Sequence, residues 1–400
     1  MMKNHFYMGE EKLMITNDFR IGRDVALSFE AFAEDDGGTW YLGYDHNGLY
    51  YYDNKNRNIQ FIGLIPNEER YATRLYSSMV IVDDYLIMIP YAATEIAVYK
   101  KSSKSFMKIE IKSIGLFQYI GKNVDERAKF WSYALLREQL FMFPHNYTAI
   151  AILDLNSWKV EYSIDLFCEL DKITDNGEAY VTDVTCEENM VYGSCGNASA
   201  FFSINLDTYR YTIKKVKTKV NGFNGILHRG NSIWLAPRIG RTIVRYDEDI
   251  GSISEYDDYP EGFMGDYIPF HKIYHTEYGL LLFANFANFF IMLNEENGEM
   301  KNVKFLSNIV SEKRNKGSYA TDRTMAYSCD GIIVKFVSGR TNELCIANLY
   351  DENVRRTYFF SSGEYPSYQN IIRSIFYSEK LIVNEGERLE LSDLITMINK

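Results

Sequence analysis

The chain has 400 residues, 46% hydrophobic and 24% charged. That is enough apolar material for a large core, and it excludes a disordered, collagen-like or disulfide-stapled chain. Lys and Arg number 43 against 54 Asp and Glu, a net charge of −11, which disfavours nucleic acid and anionic membranes, since both are held through clustered cations.

The opening segment, MMKNHFYMGEEKLMITND, lacks the apolar stretch of a secretory signal. No uninterrupted apolar run reaches the roughly 18 residues of a spanning helix. The nearest, Tyr278 to Leu293, is broken by Asn285 and Asn288 and reads as two buried strands. The five cysteines (Cys168, Cys186, Cys195, Cys329, Cys345) form no C-x-x-C pair. A cytoplasmic protein with reduced, mostly buried thiols is expected.

Along the chain, a spare apolar segment at Lys12 to Thr16 precedes a first strand near Ala26 to Ala33, and then a unit repeats. YLIMIPYAATEIAVYK (Tyr85 to Lys100), QLFMFPHNYTAIAILD (Gln139 to Asp154) and SIWLAPRIGRTIVRYD (Ser232 to Asp247) share one layout. Each has an apolar run, a proline at the sixth place (Pro90, Pro144, Pro237), a polar break and an alternating strand ending in a charge. Thr39 to Asp53, Met190 to Asn205, Gly279 to Asn294 and Gly331 to Asp351 fit it without the proline. A short strand and tight turn precede each copy, and a polar turn and fourth strand follow, so one unit is four antiparallel strands, A to D. The B runs begin near Trp40, Leu86, Leu140, Met190, Ile233, Leu280 and Ile332. Their period of about 49 residues is that of propeller blades. Ser374 to Val383 reads as half of an eighth unit, which the N-terminal segment would complete, closing the ring and removing its open edge. The expectation is a single all-β propeller over residues 1–400. Residues 1–25 would give the closing strand and 371–400 the partial blade. Eight blades are favoured, with seven as the alternative.

The first unit, EDDGGTWYLGYDHNGLYYYD (Glu34 to Asp53), resembles the propeller repeat of bacterial two-component sensor proteins. The likeness lies in its D-x-x-G turn, W-x-x-G strand and G-L-x-x-Y-D ending. It implies the fold but not a sensor function, because no kinase, regulator or membrane-spanning segment accompanies it. The signatures of WD40 and kelch repeats are missing. Asp35, Gly37, Thr39 and Trp40 also match most of the Asp-box of sialidases, with Ala33 where that motif has Ser. A structural A–B turn is expected there.

A propeller gathers its B–C and D–A loops on one face. The B–C breaks carry His46, Tyr91, His145, Asn197, Arg238, Arg241, Asn285 and Arg340. Long D–A connections at Ile114 to Lys129 and Tyr256 to His271 join them, the latter contributing Asp258 and Asp266. Long, aromatic-rich loops on a rigid scaffold are where binding residues concentrate.

Catalytic sets are sparse. His271 and His275 are four apart on a strand, too far for easy chelation, so no metal or other cofactor is expected. Of the acid pairs, Asp35-Asp36, Asp83-Asp84 and Glu187-Glu188 fall in A–B turns, and only Asp257-Asp258 falls in a long loop. Cys195 lacks a nucleophile elbow. Lys214, Lys215, Lys217 and Lys219 mark an exposed outer edge and Lys100, Lys101 and Lys104 a C–D turn, while Lys313, Arg314 and Lys316 lie in a D–A loop that could serve binding. The expected function is a monomeric, non-enzymatic scaffold that recognises a peptide, protein or glycan on the B–C/D–A face. The alternative is a carbohydrate-active hydrolase or lyase at the channel mouth, drawing on Asp45, His46, His145, Arg238, Asp258 and Asp266.

Overall fold

A computed structural model describes residues 29–357, apart from 45, 57, 70–71, 112–127, 148, 164, 175–178, 312–323 and 339–342. Within these, 28 strands form seven four-stranded antiparallel sheets, each paired in chain order A-B-C-D. The blades are Phe29–Gly63, Tyr76–Glu110, Phe130–Ser163, Val181–Lys215, Phe223–Tyr256, Phe270–Asn302 and Thr324–Thr357. Every B run read from the sequence is a B strand.

The count of eight is corrected to seven. Strand A of blade 7 packs against strand A of blade 1, and Lys335 Nζ meets Glu34 Oε1 at 2.6 Å across the seam. The described ring therefore closes on itself. The segments expected to complete an eighth blade, Lys12 to Thr16 and Ser374 to Val383, lie outside the described residues. Residues 28–359 are one compact unit.

The apolar B runs are continuous in blades 1, 2, 3, 5 and 6 because those B strands are buried on both faces. In blade 2, Leu86 and Met88 join a cluster with Trp40 and Leu42 of blade 1. Ile87 and Ile89 join Leu140 and Met142 of blade 3. Successive side chains alternate between the two sheet faces, so every second residue packs on a different neighbouring blade. At roughly 25 cal/mol per Å² of buried apolar surface, these interblade layers are the main source of stability. D strands are the outer edges. Lys214 and Lys215 stand exposed on that of blade 4, as charge on a free edge requires. Two short helices, Asp165–Asp171 and Lys304–Ser311, lie in D–A connections, where no helix was expected. Leu166, Phe167 and Leu170 of the first are buried in the core between blades 3 and 4, so tertiary packing sustains a helix too short to stand alone.

The C–D turns account for the Asp or Asn that closes six of the seven repeats. Asp53 Oδ1 accepts from the backbone N–H of Lys55 and Asn56 at 2.8 and 3.0 Å. Asn205, Asp247 and Asn294 make the same pair of bonds, and Asp154 and Asn348 one each. A side-chain oxygen is what the turn needs, not a charge.

At the opposite end of each blade, strand A bulges. Phe29 opposes Gly43 but Ala31 opposes Leu42, and blades 2 to 6 repeat the slip. The extra residues are Glu30, Ser77, Trp131, Thr182, Asn224 and His271. Four of them tie the inner rim together: Ser77 Oγ, Thr182 Oγ1, Asn224 Nδ2 and His271 Nε2 donate to the first strand-A carbonyl of the next blade at 2.7–2.9 Å. The remaining two, Glu30 and Trp131, enter the site described next.

Candidate functional site

One backbone device sets the loop face. The residue after strand B donates its N–H to the residue just before strand A: Tyr91 to Leu75, His145 to Lys129, Gly196 to Tyr180, Arg238 to Gly222 and Asn285 to Pro269, at 2.8–3.0 Å. The carbonyls of Tyr44, Tyr91 and Arg238 accept from Arg74, Lys129 and Ile268 of the following D–A loop. The post-B residues are thus stitched into one collar.

On this collar an arginine–aromatic ladder runs from blade 1 to blade 5. The Arg74 guanidinium lies 4.5 Å from the centroid of the Tyr91 ring, 5.2 Å from Trp131 and 5.9 Å from Tyr44. Trp131 meets Tyr91 edge-on at 5.5 Å and His145 at 6.2 Å. His145 stacks on Tyr180 at 4.8 Å, and Arg238 covers the Tyr180 ring at 4.9 Å. All seven side chains are half-buried. Gly196 is required here: a Cβ on it would lie 2.0 Å from the Tyr180 ring.

The two guanidinium groups differ. Arg74 bonds Glu30 Oε1 through Nε and Nη2 at 3.1 and 2.9 Å, and Glu30 is buried. Among the described residues no carboxylate pairs with Arg238. His145 lies between them, held down to about 4, chiefly by burial and then by the charges of Arg238 and Arg74, against a bond from Asn146. It is a neutral ring at physiological pH. Burial raises the Tyr180 phenol despite Arg238.

The structure sorts the sequence candidates. Tyr91, His145 and Arg238 belong to the ladder. His46 does not: it is buried, 2.7 Å from the Tyr50 hydroxyl, and Tyr44 takes its expected place on the collar. Asn197 is half-buried beside Cys195, whose thiol burial pushes up. Arg241 is exposed and paired with Asp266 at 2.6 Å, which holds that carboxyl below its ordinary range. Asn285 is on the collar but buried, and its Oδ1 finds no donor among the described residues. Asp258 is exposed in its loop. Asp45, Arg340, Lys313, Arg314, Lys316 and most of the Ile114 to Lys129 connection lie outside the described residues.

His271 spends its Nε2 on the rim bond to Thr324 and stacks on Tyr327 at 4.3 Å, while His275 is exposed. Among the described residues no three His, Cys, Asp or Glu side chains converge as a metal site. All five cysteines are free, with Cys195 and Cys345 buried and Cys186 exposed. The Asp35 turn is structural: Oδ1 accepts from Gly37 and Gly38, and Oδ2 accepts from the Trp40 indole at 3.0 Å.

Sequence reasoning missed Tyr44, Arg74, Trp131 and Tyr180, and with them Glu30. Four of these sit at or just before the bulge of strand A, so the available signal was a large polar or aromatic residue at that phase of the repeat. It also missed the pair formed by Lys272 Nζ and Asp183 Oδ1 at 2.9 Å, which spans blade 5 from blade 6 to blade 4. Gly225 leaves room for it, since a Cβ there would come 3.1 Å from Lys272 Cα. Burial pushes the Asp183 carboxyl up against the pull of Lys272.

No known family profile and no curated protein matches the sequence. Among solved structures, the chain is similar to virginiamycin B lyase from Staphylococcus aureus, with a TM-score of 0.56 and 16% identity over 80% of this chain and 97% of that one. It is also similar to a computationally designed protein, Ika8, at TM-score 0.54 and 9% identity over 84% and 88% of the chains. A third is the extracellular domain of a putative one-component system from B. thetaiotaomicron, at 0.50 and 14% over 84% of this chain and 39% of that one. The propeller fold is shared between an enzyme and a sensor domain, and at these identities the fold alone is common ground.

Proposed function

We propose that the protein is a binding module whose loop face recognises a peptide, protein or glycan. The observation that carries this is the ladder from Tyr44 to Arg238. Seven half-buried side chains from five blades form one continuous stack, held in register by backbone bonds. Such rigid aromatic and arginine groups are the usual anchors of recognition surfaces. The lyase alternative has its candidate proton acceptor in His145, but a ring held at about 4 is a weak base at neutral pH. The carboxylates proposed to assist it are engaged (Asp266) or exposed in the loop (Asp258).

The test is a peptide and glycan array probed with the purified protein and with Trp131→Ala and Tyr180→Ala. Ligands bound by the parent are expected to be lost in both variants. Binding that survives both changes but is abolished by substitutions in C–D turns would overturn the assignment to this face.

A further inference from the structure

Among the described residues three arginines stand in the B–C and D–A loops of blades 1 to 5, and two are satisfied within the protein. Arg74 has Glu30 and Arg241 has Asp266. Arg238 has the ring and hydroxyl of Tyr180 but, among the described residues, no carboxylate. A half-buried guanidinium without a carboxylate offers a planar, fork-shaped donor set that matches one carboxylate.

What flanks Arg238 defines the rest of the ligand. The next residue, Ile239, pairs in antiparallel fashion with Tyr267 of the long D–A loop, and the Arg238 carbonyl accepts from Ile268 at 2.6 Å. Ile239 and Tyr267 are 51% and 45% exposed, and the Tyr267 ring stacks on Phe286 at 6.1 Å. An open apolar surface therefore lies directly beside the unmatched cation. Arg241 and Asp266, from the same two loops, neutralise each other.

We propose that this sector of the loop face is a subsite for the C-terminal residue of a peptide, with the carboxylate on Arg238 and an apolar side chain against Ile239 and Tyr267. The proposal rests on the reading of the loop face as a binding surface and names the chemistry recognised there. A single guanidinium matches one negative charge. Apolar Ile239 and the ring of Tyr267 fit a hydrocarbon side chain better than the hydroxyl-rich rim of an acidic sugar, which calls for a dense set of polar partners.

The experiment is calorimetric titration with acetyl-Gly-Gly-Leu as the free acid, the same peptide as its C-terminal amide, and sodium glucuronate. The free acid is expected to bind roughly tenfold or more tightly than the amide, the usual scale of a charge-assisted bond. Arg238→Gln is expected to erase that preference and Arg241→Gln to keep it. Ile239→Asp, at an exposed position, is expected to weaken the acid selectively, which guards against a folding defect in the Arg238 variant. Equal binding of acid and amide, an Arg238→Gln variant that keeps the preference, or glucuronate binding more tightly than the peptide acid would each overturn the proposal. If neither peptide form binds while array ligands are still lost in Trp131→Ala, the subsite falls and the loop-face reading stands. If no ligand responds to any loop-face substitution, both fall.

Discussion

On the turn face, six of the seven blades carry Asp or Asn at or directly after the end of strand C, and each such oxygen receives a backbone N–H of the turn that follows. On the loop face, the residue after strand B is Tyr44, Tyr91, His145, Gly196, Arg238 or Asn285 in blades 1 to 6, never the same twice except for tyrosine. The same backbone geometry underlies both ends. At one end the side chains repeat because they serve that geometry. At the other the backbone bonds to itself, so the side chains are free to differ and to face a ligand. Uniformity marks the part that builds the ring, and variation marks the part that recognises.

Backbone space gives the sharpest way to break this contrast. Gly222, before strand A of blade 5, has φ +79°, and a Cβ on it would come 2.0 Å from the Gly196 carbonyl. Gly230, in the A–B turn of the same blade, has φ +57° and nothing within 4 Å. Gly222→Ala is expected to cost several kcal/mol, roughly 3 or more, because strain and a backbone clash combine. Gly230→Ala should cost only about 1 kcal/mol, the left-handed penalty alone. Urea denaturation of the two variants measures both. Equal losses would show that the loop-face collar is not tightly packed.

Next in size is Glu30→Ala. It leaves the Arg74 guanidinium half-buried without its carboxylate, and a loss of about 2–3 kcal/mol is expected, somewhat below the cost of orphaning a fully buried charge. Arg238 lives without such a partner, so Arg238→Gln should change stability by less than about 0.5 kcal/mol. If Arg238→Gln proves the more destabilising of the two, the unmatched arginine is structural and the loop-face argument weakens.

A third effect depends on pH. His145 is held at about 4 in the folded protein, by burial first and then by Arg238 and Arg74, against about 6.5 unfolded. The unfolded chain binds the proton more readily, so this residue's contribution to stability is intact above about pH 6.5 and is lost as pH falls towards 4. The loss should be of the order of 1–3 kcal/mol. Carboxylates titrate in part of the same window, so the comparison is between parent and His145→Gln. Melting temperatures of the two should converge as pH drops from 7 to 4. Parallel curves would show that His145 is not the group concerned.

The fold was legible because its determinants are local and repeated. Apolar B runs, tight A–B turns and the Asp or Asn at the end of strand C recur in phase, and the strands follow them. The blade number was harder to read, because ring closure is a contact between residues some 300 apart, such as Glu34 with Lys335, and no local pattern encodes it. At the site, the post-B residues Tyr91, His145 and Arg238 were visible as polar or aromatic groups in a break. Their partners Arg74, Trp131 and Tyr180 were hidden at the start of strand A, where a half-exposed aromatic looks like any strand residue. His46 misled because a histidine in a polar break reads as exposed, whereas its ring is buried against Tyr50.

The smallest effect tests why the repeat ends as it does. The sequence presents Asp at 53, 154 and 247 but Asn at 205, 294 and 348, a mixture that a requirement for charge would not tolerate. Asn205 Oδ1 accepts from the backbone of Asp207 and Thr208 at 3.1 and 3.0 Å, and from the Thr208 hydroxyl at 3.0 Å. Asn205→Ala removes all three and is expected to cost about 0.5–1 kcal/mol, since water can replace bonds at an exposed turn. Asn205→Asp keeps the acceptor oxygen and should be neutral within about 0.5 kcal/mol. Neither should alter binding at the loop face, which lies at the other end of the strands. A loss in the Asp variant as large as in the Ala variant would mean that the amide N–H₂ matters as well. A change in ligand affinity in either variant would mean that the two ends of the blade are coupled, and that the division between building and recognising is not clean.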